Sequence, residues 1–469
     1  MFPPLFDHRS EYPPLGMGYL ASVLDEAGVQ VDALDLSVLE PEEWEKNADR
    51  KIEKFKPDIV GVSALTNMYD SAMKLGEHIR KLHPDTKIAF GGPHPTIFPE
   101  LVLKNNFVDF VVRGEGENTF LELVNSLSNG LEIEKIEGLS FKKNGKIVHN
   151  KDRGFIEDLD SIPLPDRDMF QLDKYAAYPQ MNIITSRGCP YNCYFCFHGM
   201  FGHTFRARSP ENVVDELEFM KNNYKASSFW ICDDLFMFDR ERAIKICNLI
   251  IERGLDIKWE SFARINTVDM ELLRIMKRAG CWGLNFGVET GDPEIMRKIR
   301  KGITLDQVRK VMKMIRVIGI EGKANFMIGH PWDTKETIER TIKFSKEVAA
   351  DRIIFSITTP YPSTDLWKMA KNLGVVPEDD SKVNWRETLS FGDNVDPVMR
   401  TFTLSPREIK LYHEKATREW YIHNLLFMVM HPPKLWRVIR RKGLLYSVKT
   451  FLKLLSFKRY KEEKRSKGN

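Results

Sequence analysis

Short apolar runs alternate with amphipathic stretches over about residues 1–128. Residues 15–27 place apolar side chains at helical spacing and end at Gly28, a helix with a glycine stop. Residues 29–36 read as a strand. Helical text around 52–55 ends before Pro57, and 59–63 is a second apolar strand, followed by a helix over about 70–82. Residues 88–90 are a third strand, ending in Gly91-Gly92-Pro93-His94-Pro95. Residues 107–112 are a fourth, leading into Gly114-Glu115-Gly116-Glu117 and a helix from about Asn118. Strand and helix alternating at this spacing predict an α/β, doubly wound parallel sheet. Ligands of such sheets sit at the C-terminal strand ends, where these glycines lie, although the glycines could equally be ordinary turn residues needing positive φ. An opening strand is missing. Met1-Phe2-Pro3-Pro4 stands where that strand should finish, so the expectation is a truncated start or an edge built differently.

Beyond a linker over 129–180, residues 181–185 form an apolar strand and a turn, Ser186-Arg187-Gly188, that opens onto Cys189-Pro-Tyr-Asn-Cys193-Tyr-Phe-Cys196. Three thiolates within eight residues can converge on one centre. With His198 or His203 as a fourth ligand they suit zinc. Without one they suit an iron–sulfur cluster that keeps one iron open. The other cysteines, Cys232, Cys247 and Cys281, are scattered singly and read as buried thiols.

The CxxxCxxC spacing, with Phe195 before the last cysteine, resembles the radical S-adenosylmethionine superfamily. The resemblance implies a [4Fe-4S] cluster on Cys189, Cys193 and Cys196. Its open iron chelates S-adenosylmethionine, and an electron splits the sulfonium to give a 5′-deoxyadenosyl radical. It also implies a partial (β/α)6 barrel over residues 181–395. Strand two would cover 228–232, and Asp233-Asp234 looks like the methionine-binding motif. Strand three would cover 259–264, with Arg264 at its end against a carboxylate. Residues 284–291 resemble the strand-four motif, with Glu289 near the ribose. Residues 325–331 resemble the glycine-rich fifth strand, with Gly329, and 353–358 would be the sixth. Phe195, Tyr191 and Phe197 are the aromatics available to adenine or to loop packing. His198, His203 and Arg206 would shield the cluster or face substrate, and His330 and Tyr361 lie at the barrel mouth.

The N-terminal half then resembles the Rossmann-like cobalamin-binding domain that precedes the barrel in one large class of these enzymes. Ser63, Gly91, Gly92, Glu115 and Gly116 are the implied cofactor contacts. No Asp-x-His-x-x-Gly occurs in residues 1–130, and neither His8 nor His94 has the right spacing. A bound cobalamin would therefore carry no histidine below the cobalt. The resemblance implies methylation of an unactivated carbon, or ring formation as in anaerobic porphyrin cyclases of the same architecture. A non-catalytic corrinoid sensor is the rival of another class. A tRNA methylthiolating enzyme is disfavoured, because no cysteine precedes Cys189.

Composition changes the picture at one place. The 469 residues are 42% hydrophobic and 29% charged with six cysteines, which excludes a disordered chain and a disulfide scaffold. No apolar run approaches the roughly 20 residues of a membrane span. The net charge of +4 conceals a tail: residues 434–467 hold thirteen Lys/Arg and two Glu, +11 against about −7 for the rest. Residues 396–469 read as C-terminal helices, the last basic and amphipathic. A helix of that kind contacts a membrane surface or covers the barrel, and a mildly acidic body argues against nucleic acid. The expected setting is an anaerobic cytoplasm, peripheral to the membrane at most. The expected partners are a small-molecule or lipid substrate and an electron donor such as ferredoxin or flavodoxin.

Overall fold

The computed structural model describes residues 1–3, 10–40, 42–348, 350–385 and 396–430. Two sheets organise the chain. The first contains β1 (Ile59–Ser63), β2 (Lys87–Gly91), β3 (Phe110–Val112), β4 (Leu139–Lys143) and β5 (Lys146–His149), in that spatial order. β1 to β3 run parallel; β4 and β5 add an antiparallel hairpin. The stretch expected as a linker over 129–180 therefore extends the sheet through residues 139–149. Its alternating pattern (Leu139, Phe141, then Ile147) was hidden between charged neighbours, and burial of Leu139 and Phe141 against β3 decides it.

The strand expected over 29–36 is not formed. Residues 29–34 are extended without a ladder, and Leu36–Val38 is a 3-10 turn. A strand needs a neighbour to pair with, and here the neighbour is two residues long. Phe2 N–H donates to Leu34 O at 3.0 Å and Leu36 N–H to Phe2 O at 3.0 Å. On the other side Ser63 N–H donates to Met1 O at 3.1 Å, and the Met1 amino group donates to Gly61 O. The edge is thus built differently from the expected pattern, by residues 1–2 wedged between β1 and residues 34–36.

The second sheet is entirely parallel and holds β6 (Gln180–Ile183), β9 (Ser228–Ile231), β10 (Lys258–Ala263), β11 (Cys281–Glu289), β12 (Glu321–Ile328) and β13 (Arg352–Ile357) in the order 6-9-10-11-12-13. The two short strands between β6 and β9, β7 (Ser186–Arg187) and β8 (Arg206–Ala207), pair antiparallel and close the cysteine-bearing loop at its base. Alternation is clean along β9 and β12 and is interrupted in β10 and β11 at register shifts. Phe229, Trp259, Phe286, Phe326 and Ile328 point outward into one apolar core under the surrounding helices. The inner face is more polar. Most outer helices begin at a side-chain cap, among them Ser209, Asp239, Asp269, Thr304 and Thr334, which satisfies orphan N–H groups where each strand-to-helix turn ends. Helix Pro406–Met430 lies against β13 and buries Ile409, Ala416 and Trp420 in the same core. The basic amphipathic pattern beyond it lies outside the described residues.

Candidate active site

The loop from Gly188 to Phe205 carries the three clustered cysteines. Gly188 is obligatory there: its φ is +87°, and a Cβ would stand 2.2 Å from Thr204 O. Cys189 N–H donates to Gly202 O at 3.3 Å, and Tyr194 is pinned between Ile299 O (3.0 Å) and Leu366 N–H (3.1 Å). Cys189 is half-buried, Cys193 buried and Cys196 exposed. Desolvation raises the Cys189 thiol and pushes Cys196 up to about 12, with the Cys193 thiol and Asp234 adding to the effect on Cys196. Cys189 and Cys196 therefore resist ionisation until a cation offsets their charge. Among the described residues no group of three His, Cys, Asp or Glu is placed to hold a single metal ion. His198 and His203 stack on each other at 4.2 Å instead.

Arg264, at the end of β10, carries the most informative geometry. Its guanidinium lies 3.6 Å over the Tyr191 ring, and Nη1 reaches Cys193 Sγ at 3.6 Å. The residue is buried, yet Nε and Nη2 have no partner. A buried guanidinium with idle donors suits a carboxylate brought in by a ligand. Asp233 and Asp234 separate. Asp233 is consumed by its own chain: its carboxylate accepts from Thr185 N–H, Thr185 Oγ1 and Ser186 Oγ, each at 2.6 Å. It is a brace for the start of the cysteine loop. Asp234 faces the thiols, and its carboxyl is raised by desolvation and then by Asp233.

Glu289 has a φ of +71° at a register shift in β11, a strained position of the kind that clusters at functional sites. Its Oε1 is bound by Lys301 Nζ at 2.7 Å, so the expected ribose contact has an internal competitor. Lys301 also stands 5.9 Å from the centre of the Phe195 ring, whose other neighbour is His330 at 6.2 Å. His330 is buried, and burial alone holds it neutral, down to about 3. Gly329 turns away from the mouth: its N–H donates to Asp333 Oδ2 at 3.0 Å, and a Cβ would meet Ile409 of the C-terminal helix at 2.9 Å. The expectation of a cofactor contact at Gly329 gives way to packing.

The glycine turns of the first sheet border a largely apolar cavity of about 300 Å³. Ser63, Gly91, Gly92 and Gly116 line it at the strand ends, and Met200 and Phe201 of the cysteine loop close it from the other side. Gly92 has a φ of +91°, and a Cβ would lie 3.1 Å from both Ala64 O and Ser63 Oγ. His94 points elsewhere. It is fully buried among Tyr69, Phe98 and Trp385, at 4.2, 5.1 and 4.8 Å. His8 lies outside the described residues.

Glu115 lines the same cavity, but its carboxylate is already engaged. Its carboxylate, 3% exposed, accepts from Arg187 Nη1 (2.8 Å), Arg206 Nη1 (3.0 Å) and Ile156 N–H (2.8 Å). Arg187 also holds Glu117 at 2.7 Å and sits over the Tyr19 and Phe201 rings. The expected cofactor residue is therefore the centre of a buried clasp. It ties the glycine turn after β3 to the strand pair at the base of the cysteine loop. Arg187 was missed as a functional residue. The available signal was an arginine directly before the obligatory glycine of the cysteine loop.

Residues 7–124 match the family model described as B12 binding domain, and residues 183–345 that of the Radical SAM superfamily. An uncharacterized methyltransferase of Pyrococcus horikoshii is 37% identical over 416 residues, 87% of this chain and 88% of that protein. The chain belongs to the cobalamin-dependent radical S-adenosylmethionine methyltransferase family. It is also 28% identical to the anaerobic magnesium-protoporphyrin IX monomethyl ester cyclase of Rubrivivax gelatinosus, over 94% of this chain and 79% of that protein. The cobalamin-dependent S-adenosylmethionine radical enzyme OxsB, solved with aqua-cobalamin and S-adenosylmethionine, shares the fold. Its TM-score is 0.74 at 18% identity, covering 97% of this chain and 69% of that one.

The cofactors of this radical S-adenosylmethionine enzyme are a [4Fe-4S] cluster, S-adenosylmethionine and cobalamin, and its substrate is a small molecule. The residues present fit them. Three soft thiols without a fourth ligand leave one iron open, which disfavours the zinc alternative. The idle donors of Arg264 fit the carboxylate of S-adenosylmethionine. The glycine-edged cavity offers apolar walls and no buried histidine. No helix among the described residues is long and apolar enough to cross a membrane.

Proposed function

We propose that this enzyme methylates an unactivated carbon of a hydrophobic small molecule. One observation carries the reading: the cavity edged by Gly91, Gly92 and Gly116 and the loop bearing Cys189, Cys193 and Cys196 share a wall, Met200 and Phe201. A methyl carrier and a radical source would then stand on the two sides of one loop. When bound, the cluster supplies the electron that cleaves S-adenosylmethionine to a 5′-deoxyadenosyl radical, and cobalamin carries the methyl group. The chain's own tasks follow from the geometry. Arg264 orients the carboxylate of S-adenosylmethionine. Asp234 stands beside the thiols, within reach of a ligand amino group. Phe195 and the neutral His330 keep the mouth apolar. The Arg187–Glu115–Arg206 clasp fixes the distance between the two sites.

The reading includes a one-electron donor such as ferredoxin or flavodoxin. It also includes contact of residues 434–467 with a membrane surface, supported by their thirteen basic residues among apolar ones. The test is anaerobic reconstitution with S-adenosylmethionine, reductant, cobalamin and an extract of small molecules from the source cells. Matching yields of 5′-deoxyadenosine and S-adenosylhomocysteine are expected. Deoxyadenosine alone would replace methylation by ring closure, the reaction named for the Rubrivivax relative.

A further inference from the structure

Parallel sheets are ordinarily covered on both faces. Among the described residues, the six-stranded sheet is covered by helices on its outer face only, and its inner face is layered. The register sets Trp230 beside Glu260, Phe262 beside Asn285, and Asn285 beside Lys323. Phe262 is 41% exposed near the C-terminal end of β10, an open aromatic ring on a sheet face. Trp230 meets it edge-on, with ring centres 4.9 Å apart at 79°. The pair forms an apolar corner with an open side.

Beside this corner Lys323 and Glu260 offset each other. Lys323 is ion-paired with Glu260 and lies 4.8 Å over the Trp282 ring; Gln180 Nε2 reaches Glu260 Oε1 at 3.3 Å. Arg264, next on this face, is assigned to the carboxylate of S-adenosylmethionine, and beside the ring pair lies an amide pair. Asn325 Nδ2 donates to Asn285 Oδ1 at 2.8 Å, and Asn325 Oδ1 is buried without a partner. An idle acceptor shielded from water is costly unless something donates to it. An anion entering here would find Lys323 already neutralised.

We propose that the inner face of this sheet seats an uncharged, flat ring of the substrate against Trp230 and Phe262. A hydroxyl or N–H of that ring donates to the Asn285–Asn325 amide pair, and phosphate-bearing rings are rejected. This deepens the methylation reading and rests on it for the word substrate; the ring site itself is defined by binding. Edge-to-face aromatic contact and apolar burial supply the affinity, and the amide pair sets orientation.

The test uses the full-length reconstituted enzyme with S-adenosylmethionine and hydroxocobalamin bound, so that both cofactor sites are filled. It is titrated by fluorescence with dansylamide, an uncharged naphthalene sulfonamide, and with 1-naphthyl phosphate. Dansylamide is expected to bind at least tenfold tighter than the phosphate. Phe262→Ala and Trp230→Leu should each weaken it at least tenfold. Phe262→Leu, which keeps the volume and protects folding, should weaken it at least threefold, with S-adenosylmethionine binding unchanged in all three. Equal affinity for the phosphate, no dansylamide binding, or dansylamide binding indifferent to these variants overturns the inference. Because the readout is binding, absence of S-adenosylhomocysteine would sink methylation and leave this result standing. Methylation without ring binding would do the reverse.

Discussion

The cysteine loop and the glycine-edged cavity face each other across Met200 and Phe201, and they are built on opposite principles. The loop is a chemical site: three clustered thiols, two of them raised chiefly by desolvation, a carboxylate, and a buried guanidinium with idle donors. The cavity is a site of shape: glycines at strand ends, largely apolar walls and, among the described residues, no histidine. A charged ligand with one fixed pose suits the first, and a large flat cofactor held over its area suits the second. The clasp of Arg187, Arg206, Glu115 and Glu117 belongs to neither and joins both. Residues that would read as ligands in isolation can be the frame that sets two ligands at a working distance.

The largest effect should come from breaking that frame. Arg187→Met leaves two buried carboxylates short of a partner, and removing one member of such a network typically costs about 3–5 kcal/mol. Urea unfolding should show this loss, and both iron and cobalamin content should fall. Loss of one cofactor alone would mean the sites are independent.

Arg264→Met tests the chemical site. Charge-assisted hydrogen bonds contribute about 1.5–3 kcal/mol each. S-adenosylmethionine binding by equilibrium dialysis should therefore weaken by about ten- to a hundredfold. Cobalamin binding should be unchanged. Retained affinity would remove Arg264 from the site.

Gly92→Ala tests the shape site. Forcing a side chain into positive φ costs on the order of 1–2 kcal/mol. The added Cβ also presses on Ala64 O and Ser63 Oγ, 3.1 Å away. Cobalamin content, read by absorbance, should drop while iron stays constant. The opposite split would invert the assignment of the two sites.

The last effect is a pH slope, gentle at any one pH and without consequence for the cofactors. Burial lowers His94 from 6.5 to about 3, so between these values the unfolded chain binds one more proton than the folded one. Stability supplied by the neutral ring is present above about pH 6.5 and is lost as pH falls toward 3. His94→Phe, among Tyr69, Phe98 and Trp385, should flatten the urea midpoint's pH dependence by about 1.4 kcal/mol per pH unit in that window. Cofactor content should stay the same. A loss of cobalamin would return His94 to the cavity.

Legibility in the sequence divides along the same line. The cysteine triad was readable because its spacing is local, eight residues on one loop. Arg264 was readable because it ends a strand, and its idle nitrogens then supported a ligand role. Asp233, Gly329 and Glu115 carried the right motif positions but are occupied by Thr185 and Ser186, by Ile409, and by Arg187 and Arg206. Those competitors come from up to 91 residues away, and no spacing announces them. The strand expected over 29–36 failed for the same kind of reason. Its alternation is genuine, but a ladder needs a partner, and among the described residues only residues 1–2 provide one.

Local pattern alone therefore determined the parallel α/β character of the first sheet and the closeness of three thiols on one loop; the barrel and the cluster came from the resemblance of the motifs. The first two follow from periodicity and turn chemistry, which act over a few residues. Tertiary structure alone decided which carboxylates are free, that residues 139–149 extend the first sheet, that Arg187 binds the two halves together, and that Phe262 is exposed among the described residues. Hydrogen-bond and charge pairing in a buried interior is settled by whichever partners packing brings within about 3 Å, and sequence distance has no bearing on it.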